Sequence, residues 1–141
     1  MMRAIGKIII HCAATPEGKD FTTADIDRWH RARGFEGIGY HYVIYRDGSV
    51  HAGRAEERVG AHCKGHNGDS IGVCYIGGCS VDGKTPKDTR TAAQKAALER
   101  LVRELKGRYP HATIHGHGEF AAKACPSFDV RSWLRETGIK Q

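Results

Sequence analysis

Two short apolar runs constrain this chain more than any other feature. Lys7-Ile8-Ile9-Ile10 and Ser70-Ile71-Gly72-Val73-Cys74-Tyr75-Ile76 show no alternation of polar and apolar positions. A strand with one wet face alternates, whereas an uninterrupted β-branched run suits a strand covered on both faces. Both runs therefore read as buried strands, the second central in its sheet and ended by Gly77-Gly78.

The segments around them supply the covering layers. Thr22 and Asp25 form a capping-box pattern that opens a helix ending at Gly34. Ile26 and Trp29 give it an apolar side, completed by Ala32 or His30, which makes His30 a helix-face residue rather than a ligand. Residues 40–45 are aromatic and β-branched, and Asp47-Gly48 turns them into a returning strand at 49–52. Thr91 and Gln94 cap a second helix running to about Gly107, with Leu98, Leu101, Val102 and Leu105 as its core stripe. Tyr109-Pro110 stops it, residues 112–114 begin another strand, and residues 129–136 form a terminal helix that buries Trp133. The expected fold is one α/β domain over residues 1–141, a mixed central sheet of about five strands flanked by helices. A chain of this length buries roughly two-thirds of its unfolded surface without disulfides.

Reactive side chains concentrate in His115-Gly-His117-Gly-Glu-Phe-Ala-Ala-Lys123-Ala-Cys125-Pro-Ser-Phe-Asp129. Thiolate and neutral imidazole are ligands that zinc prefers, and a catalytic zinc site takes three protein ligands and a water. Cys125 with His117 or His115 supplies two, and His11, delivered to the end of the first apolar run, supplies the third. Lys123 reads either as a cation beside a polarised carbonyl or as an ordinary surface lysine. Asp129 reads as a helix cap, with a ring N–H of a ligand histidine as an alternative partner.

Four stretches in order, IIIHCAATP, GIGYHYVIYRDGSVHAGR, GAHCKGHNGDSIGVCYIGG and HGHGEFAAKACPSFDV, resemble the zinc-dependent N-acetylmuramoyl-L-alanine amidase family, which includes phage T7-type lysozyme and the peptidoglycan recognition proteins. The likeness extends from about Ile8 to Trp133. It implies one zinc ion per chain held by His11, His117 and Cys125, with His117 preferred over His115. It also implies that Tyr40 faces the zinc-side water and Lys123 the oxyanion, where the residues alone equally allow Tyr40 to be a core aromatic. His62 and Asn67, in the glycine-rich loop 60–69, match positions bordering the substrate groove, while Lys64 and His66 are expected to be solvated. The implied reaction is hydrolysis of the amide between N-acetylmuramic acid and L-alanine in peptidoglycan, by an enzyme of the phage or prophage endolysin type.

The remaining features fit that expectation without choosing it. The net charge of +6 suits an anionic partner, yet Lys and Arg are scattered and form no basic stripe interleaved with aromatics, so the cell wall is expected and nucleic acid is not. No apolar run approaches the ~20 residues of a membrane span, and Gly6 and Lys7 break the N-terminal apolar stretch before it can serve as a signal core. A cytoplasmic chain, monomeric and acting on the wall after release, is the expectation. Five cysteines without framework spacing read as reduced thiols: Cys74 in the core, Cys12 on the strand face opposite His11, Cys63 and Cys79 without a role. Two other classes stay open, a binding module of the same fold that does not cut, and a metal-free hydrolase using Cys12 or Cys125.

Overall fold

The computed structural model describes residues 3–141; Met1 and Met2, part of the N-terminal stretch read above, lie outside the described residues. Five strands form the main sheet: β1 (Lys7–Cys12), β3 (Tyr42–Ile44), β4 (Val50–Ala52), β5 (Ser70–Tyr75) and β7 (Thr113–Gly116). They stand in the order β4-β3-β5-β1-β7, so β5 is central. β3, β5, β1 and β7 run parallel and β4 returns antiparallel on the edge. Two-residue strands β2 (Thr15–Pro16) and β6 (Gly78–Cys79) pair separately.

The sheet divides the core. Ile8, Ile10 and Cys12 of β1, with Ile71, Val73 and Tyr75 of β5, face α2 (Ala92–Arg108) and α3 (Val130–Thr137), where Leu98, Leu101, Val102, Leu105 and Trp133 pack. Val43, Cys74 and Ile76 meet Ile26 of α1 (Thr23–Ala32) on the other side. Successive side chains on a strand point to opposite faces, so Cys12 enters the core while His11 turns toward the α1 side. Both α1 and α2 begin with complete capping boxes, Thr22 with Asp25 and Thr91 with Gln94. Gly34, just past α1, takes φ +91°, which a side chain would resist.

Several boundaries differ from the sequence reading. His30, not Ala32, completes the buried stripe of α1, because its Nδ1 accepts the backbone N–H of Gly39 at 2.8 Å. Tyr40 precedes its strand, which starts at Tyr42. His117 lies beyond the end of β7, in the 3-10 turn His117–Glu119. All five cysteines are free, and among the described residues no helix is long and apolar enough to cross a membrane.

Candidate metal centre and substrate groove

The parallel strands converge their C-terminal ends on one edge of the sheet, where open α/β folds place ligands. His11 is the penultimate residue of β1, β7 leads directly into His117, and the chain after the 3-10 turn returns Cys125 beside them. Tyr75 Oη donates to the Pro126 carbonyl at 2.6 Å, Ser127 Oγ donates to the Gly78 carbonyl at 2.9 Å, and the Arg90 guanidinium lies 3.5 Å over the Phe128 ring. These contacts fix the loop that carries the thiol.

One nitrogen from each of His11 and His117 and the sulfur of Cys125 all lie within 4.8 Å of one another. His11 Nδ1 is 3.9 Å from Cys125 Sγ. In a tetrahedral zinc site, with Zn–S about 2.3 Å and Zn–N about 2.05 Å, nitrogen and sulfur stand about 3.6 Å apart. The trio therefore fits such an ion with small side-chain adjustments. His115 does not join it: Nε2 is 2.6 Å from Thr113 Oγ1 and Nδ1 is 2.9 Å from Glu119 Oε1. Asp129 caps α3, accepting the Ser132 N–H at 3.2 Å.

The electrostatics keep the donors available. Burial, then His62, His117 and Lys123, holds His11 well below the ordinary histidine value; burial, then Lys123, lowers His117. Both rings are thus neutral, with a lone pair to offer, at neutral pH. In the metal-free chain the adjacent Cys12 thiol and burial push Cys125 up. The Cys12 backbone N–H, donated to Cys125 Sγ at 3.2 Å, pulls the other way, and a bound cation would deprotonate the thiol outright.

A groove of about 710 Å³ opens on the His117 side of this cluster. His117, Tyr40, His62, Asn67 and Lys123 line it, so every residue singled out for catalysis or substrate contact reaches one cavity or its floor. The Tyr40 ring stands 5.1 Å from His11, and burial pushes its phenol well above 10. Lys123 is exposed at the rim. Asn67 Oδ1 accepts the backbone N–H groups of His62 and Cys63, each at 2.9 Å. Lys64 is exposed as expected, but His66 stacks on Phe120 at 4.1 Å and is only half-exposed.

The sequence profile of the N-acetylmuramoyl-L-alanine amidase family matches residues 1–128. The chain belongs to this family. The amidase is 44% identical to the endolysin of Escherichia phage T7 over 132 residues, covering 94% of this chain and 87% of the relative. It is 43% identical to the endolysin of Enterobacteria phage K11 over 129 residues, covering 92% and 85% respectively. The solved N-acetylmuramoyl-L-alanine amidase of Clostridium intestinale superposes with a TM-score of 0.83 at 27% identity, over 98% of this chain and 88% of that one. As an enzyme, the amidase therefore cleaves the N-acetylmuramoyl–L-alanine amide, and His11, His117 and Cys125 form a cluster able to hold a metal ion.

Sequence reasoning did not anticipate Arg33, Phe35 and Phe120 in the groove wall, nor Tyr75, Ser127 and Arg90 as braces of the Cys125 loop. None carries a local signature; each acquires its place through contacts that the fold creates.

Proposed function

We propose that this amidase is a zinc-dependent enzyme of the endolysin type, hydrolysing the bond between the lactyl carboxyl of N-acetylmuramic acid and the L-alanine amine of the stem peptide. The observation that carries the reading is the convergence of His11, His117 and Cys125 beside a groove that His117, Tyr40 and Lys123 line. The similarity to phage endolysins across most of both chains supports it.

Zinc held by His11, His117 and Cys125 would supply Lewis-acid polarisation of the scissile carbonyl and an acidified water. The chain's own residues do the rest. Tyr40, kept protonated by burial, donates a hydrogen bond to the carbonyl oxygen as negative charge builds there. Lys123 adds a positive charge at the rim, the same charge that depresses both histidines. Asn67 and His62 border the path of the substrate, and Asn67 holds the groove loop by accepting the backbone N–H groups of His62 and Cys63 on its side-chain oxygen.

Peptidoglycan, with its carboxylates, suits the net charge of +6. Among the described residues the large exposed apolar side chains are three, Val50, Val59 and Val81, and a monomer is the proposed state. The chain would be made in the cytoplasm and reach the wall after release, with no role for nucleic acid or membrane.

Mass spectrometry of digested peptidoglycan tests the bond assignment. Intact stem peptides with free N-terminal L-alanine, and glycan strands bearing free lactyl carboxylates, are the expected products. New reducing sugar ends or cleaved peptide cross-links would overturn it.

A further inference from the structure

His62 stands 2.8 Å from His11 through its Nδ1, facing His11 Nε2, and its own Nε2 is 3.2 Å from Ser70 Oγ. The His11 nitrogen that meets Cys125 is the other one, Nδ1. We propose that His62 is a positioning residue of the metal centre, accepting the His11 Nε2–H so that His11 is held in the tautomer and orientation that present Nδ1 to a metal. This rests on the metalloamidase reading above and assigns His62 a role behind the ligand, beyond its place on the groove wall.

The hydrogen bonds allow only two consistent directions. Each ring, when neutral, has one N–H and one lone pair. If Ser70 donates to His62 Nε2, His62 Nδ1–H donates to His11 Nε2 and the proton of His11 sits on Nδ1, where it blocks ligation. If His11 Nε2–H donates to His62 Nδ1, His62 Nε2–H donates to Ser70 and His11 Nδ1 is bare. Metal loading selects the second.

The surroundings are built for this ring. A Cβ at Gly72 would come within 2.7 Å of the His62 ring, and one at Gly60 within 2.6 Å, so both positions are kept clear for it. Asn67 Oδ1 clamps the His62 backbone, and the two imidazoles meet edge-on with centroids 4.9 Å apart. Ligand histidines usually give their second N–H to a carboxylate, carbonyl or water; here a neutral imidazole takes that place.

The test pairs two variants with a measurement on the unaltered chain. His62→Phe keeps a ring in the Gly60–Gly72 slot and removes the acceptor; His62→Asn keeps an acceptor near the Nδ1 position. Zinc affinity, measured by competition with a chromophoric chelator, should fall about 10- to 100-fold in the first and return to within about threefold in the second. In ¹⁵N-labelled, zinc-loaded protein, a coupling across the hydrogen bond should join His11 Nε2 to His62 Nδ1, with the His62 proton on Nε2. Unchanged zinc affinity in a folded His62→Phe, or a His62 protonated on Nδ1 in the loaded protein, would overturn the proposal. Should His62→Phe not fold, the nitrogen spectra of the parent decide alone. Failure of the parent to bind zinc at all would instead sink the metalloamidase reading, a separate outcome.

Discussion

Under the proposed function, Tyr40 and Cys125 separate two tasks, stabilising charge and holding an ion. The Tyr40 phenol is pushed well above its ordinary value by burial, so it acts as a donor and not as a base at any working pH. Tyr40→Phe should lower kcat by about 10²–10³ while zinc content, measured by atomic absorption, stays at the parent level. Cys125→Ser removes the soft ligand and should lose both zinc and activity, beyond the ~100-fold typical of disturbing a ligand's support. Lys123 is exposed, and water and salt screen its charge. Lys123→Ala should therefore cost about tenfold in kcat/KM, and the gap to the parent should narrow as salt is added. Cys125 and Lys123 drew notice because reactive types crowd residues 115–129, and Tyr40 through the family likeness; the structure brings the three to one end of the sheet. His62 was legible only as a groove residue, since its bond to His11 spans a separation of 51 residues and leaves no pattern in the sequence.

Among the elements, the long helix carries the clearest local code and an unannounced long-range one. Thr91 and Gln94 cap α2, and Gln94, fully buried, also donates through Nε2 to the carbonyls of Ile44 at 3.3 Å and Ile76 at 2.9 Å. Thr91→Ala should cost about 1 kcal/mol of unfolding free energy in urea titration. Gln94→Leu should cost more, about 2–3 kcal/mol, because the buried Ile76 carbonyl loses its partner as well as the cap, while the Ile44 carbonyl keeps the Ile76 N–H at 3.0 Å; equal losses would mean that Gln94 acts only as a cap. The helices and the strands β1 and β5 were readable because caps and unbroken apolar runs are local signals. The β2–β6 pair was not, since Thr15-Pro16 and Gly78-Cys79 are two-residue segments with no local strand signal, brought together by contacts distant in sequence. The strand boundary at Tyr42 and the placement of His117 in a turn beyond β7 likewise depend on hydrogen bonds that no single segment specifies.

At the scale of the whole molecule, buried neutral histidines tie folding to pH. Burial lowers His41 and His30, whose Nδ1 atoms accept backbone N–H groups from Gly72 and Gly39, and lowers His62 to about 3. Below the ordinary histidine value of about 6.5 the unfolded chain binds protons that the folded chain refuses. Stability is thus complete above that pH and lost as pH falls through it, toward about 3 for His62. Chelator-treated protein should show a denaturation free energy that drops between pH 7 and pH 5, by up to about 1.4 kcal/mol per pH unit for each such ring; a flat profile would contradict the buried neutral state. In the proposed function the trio at the strand ends works through a metal. Its most direct test is release of free stem peptide from purified peptidoglycan, with chelator and then with zinc restored. Chelator should abolish release and stoichiometric zinc recover it, whereas release that survives complete metal removal would rule the metal out and point to a cysteine nucleophile.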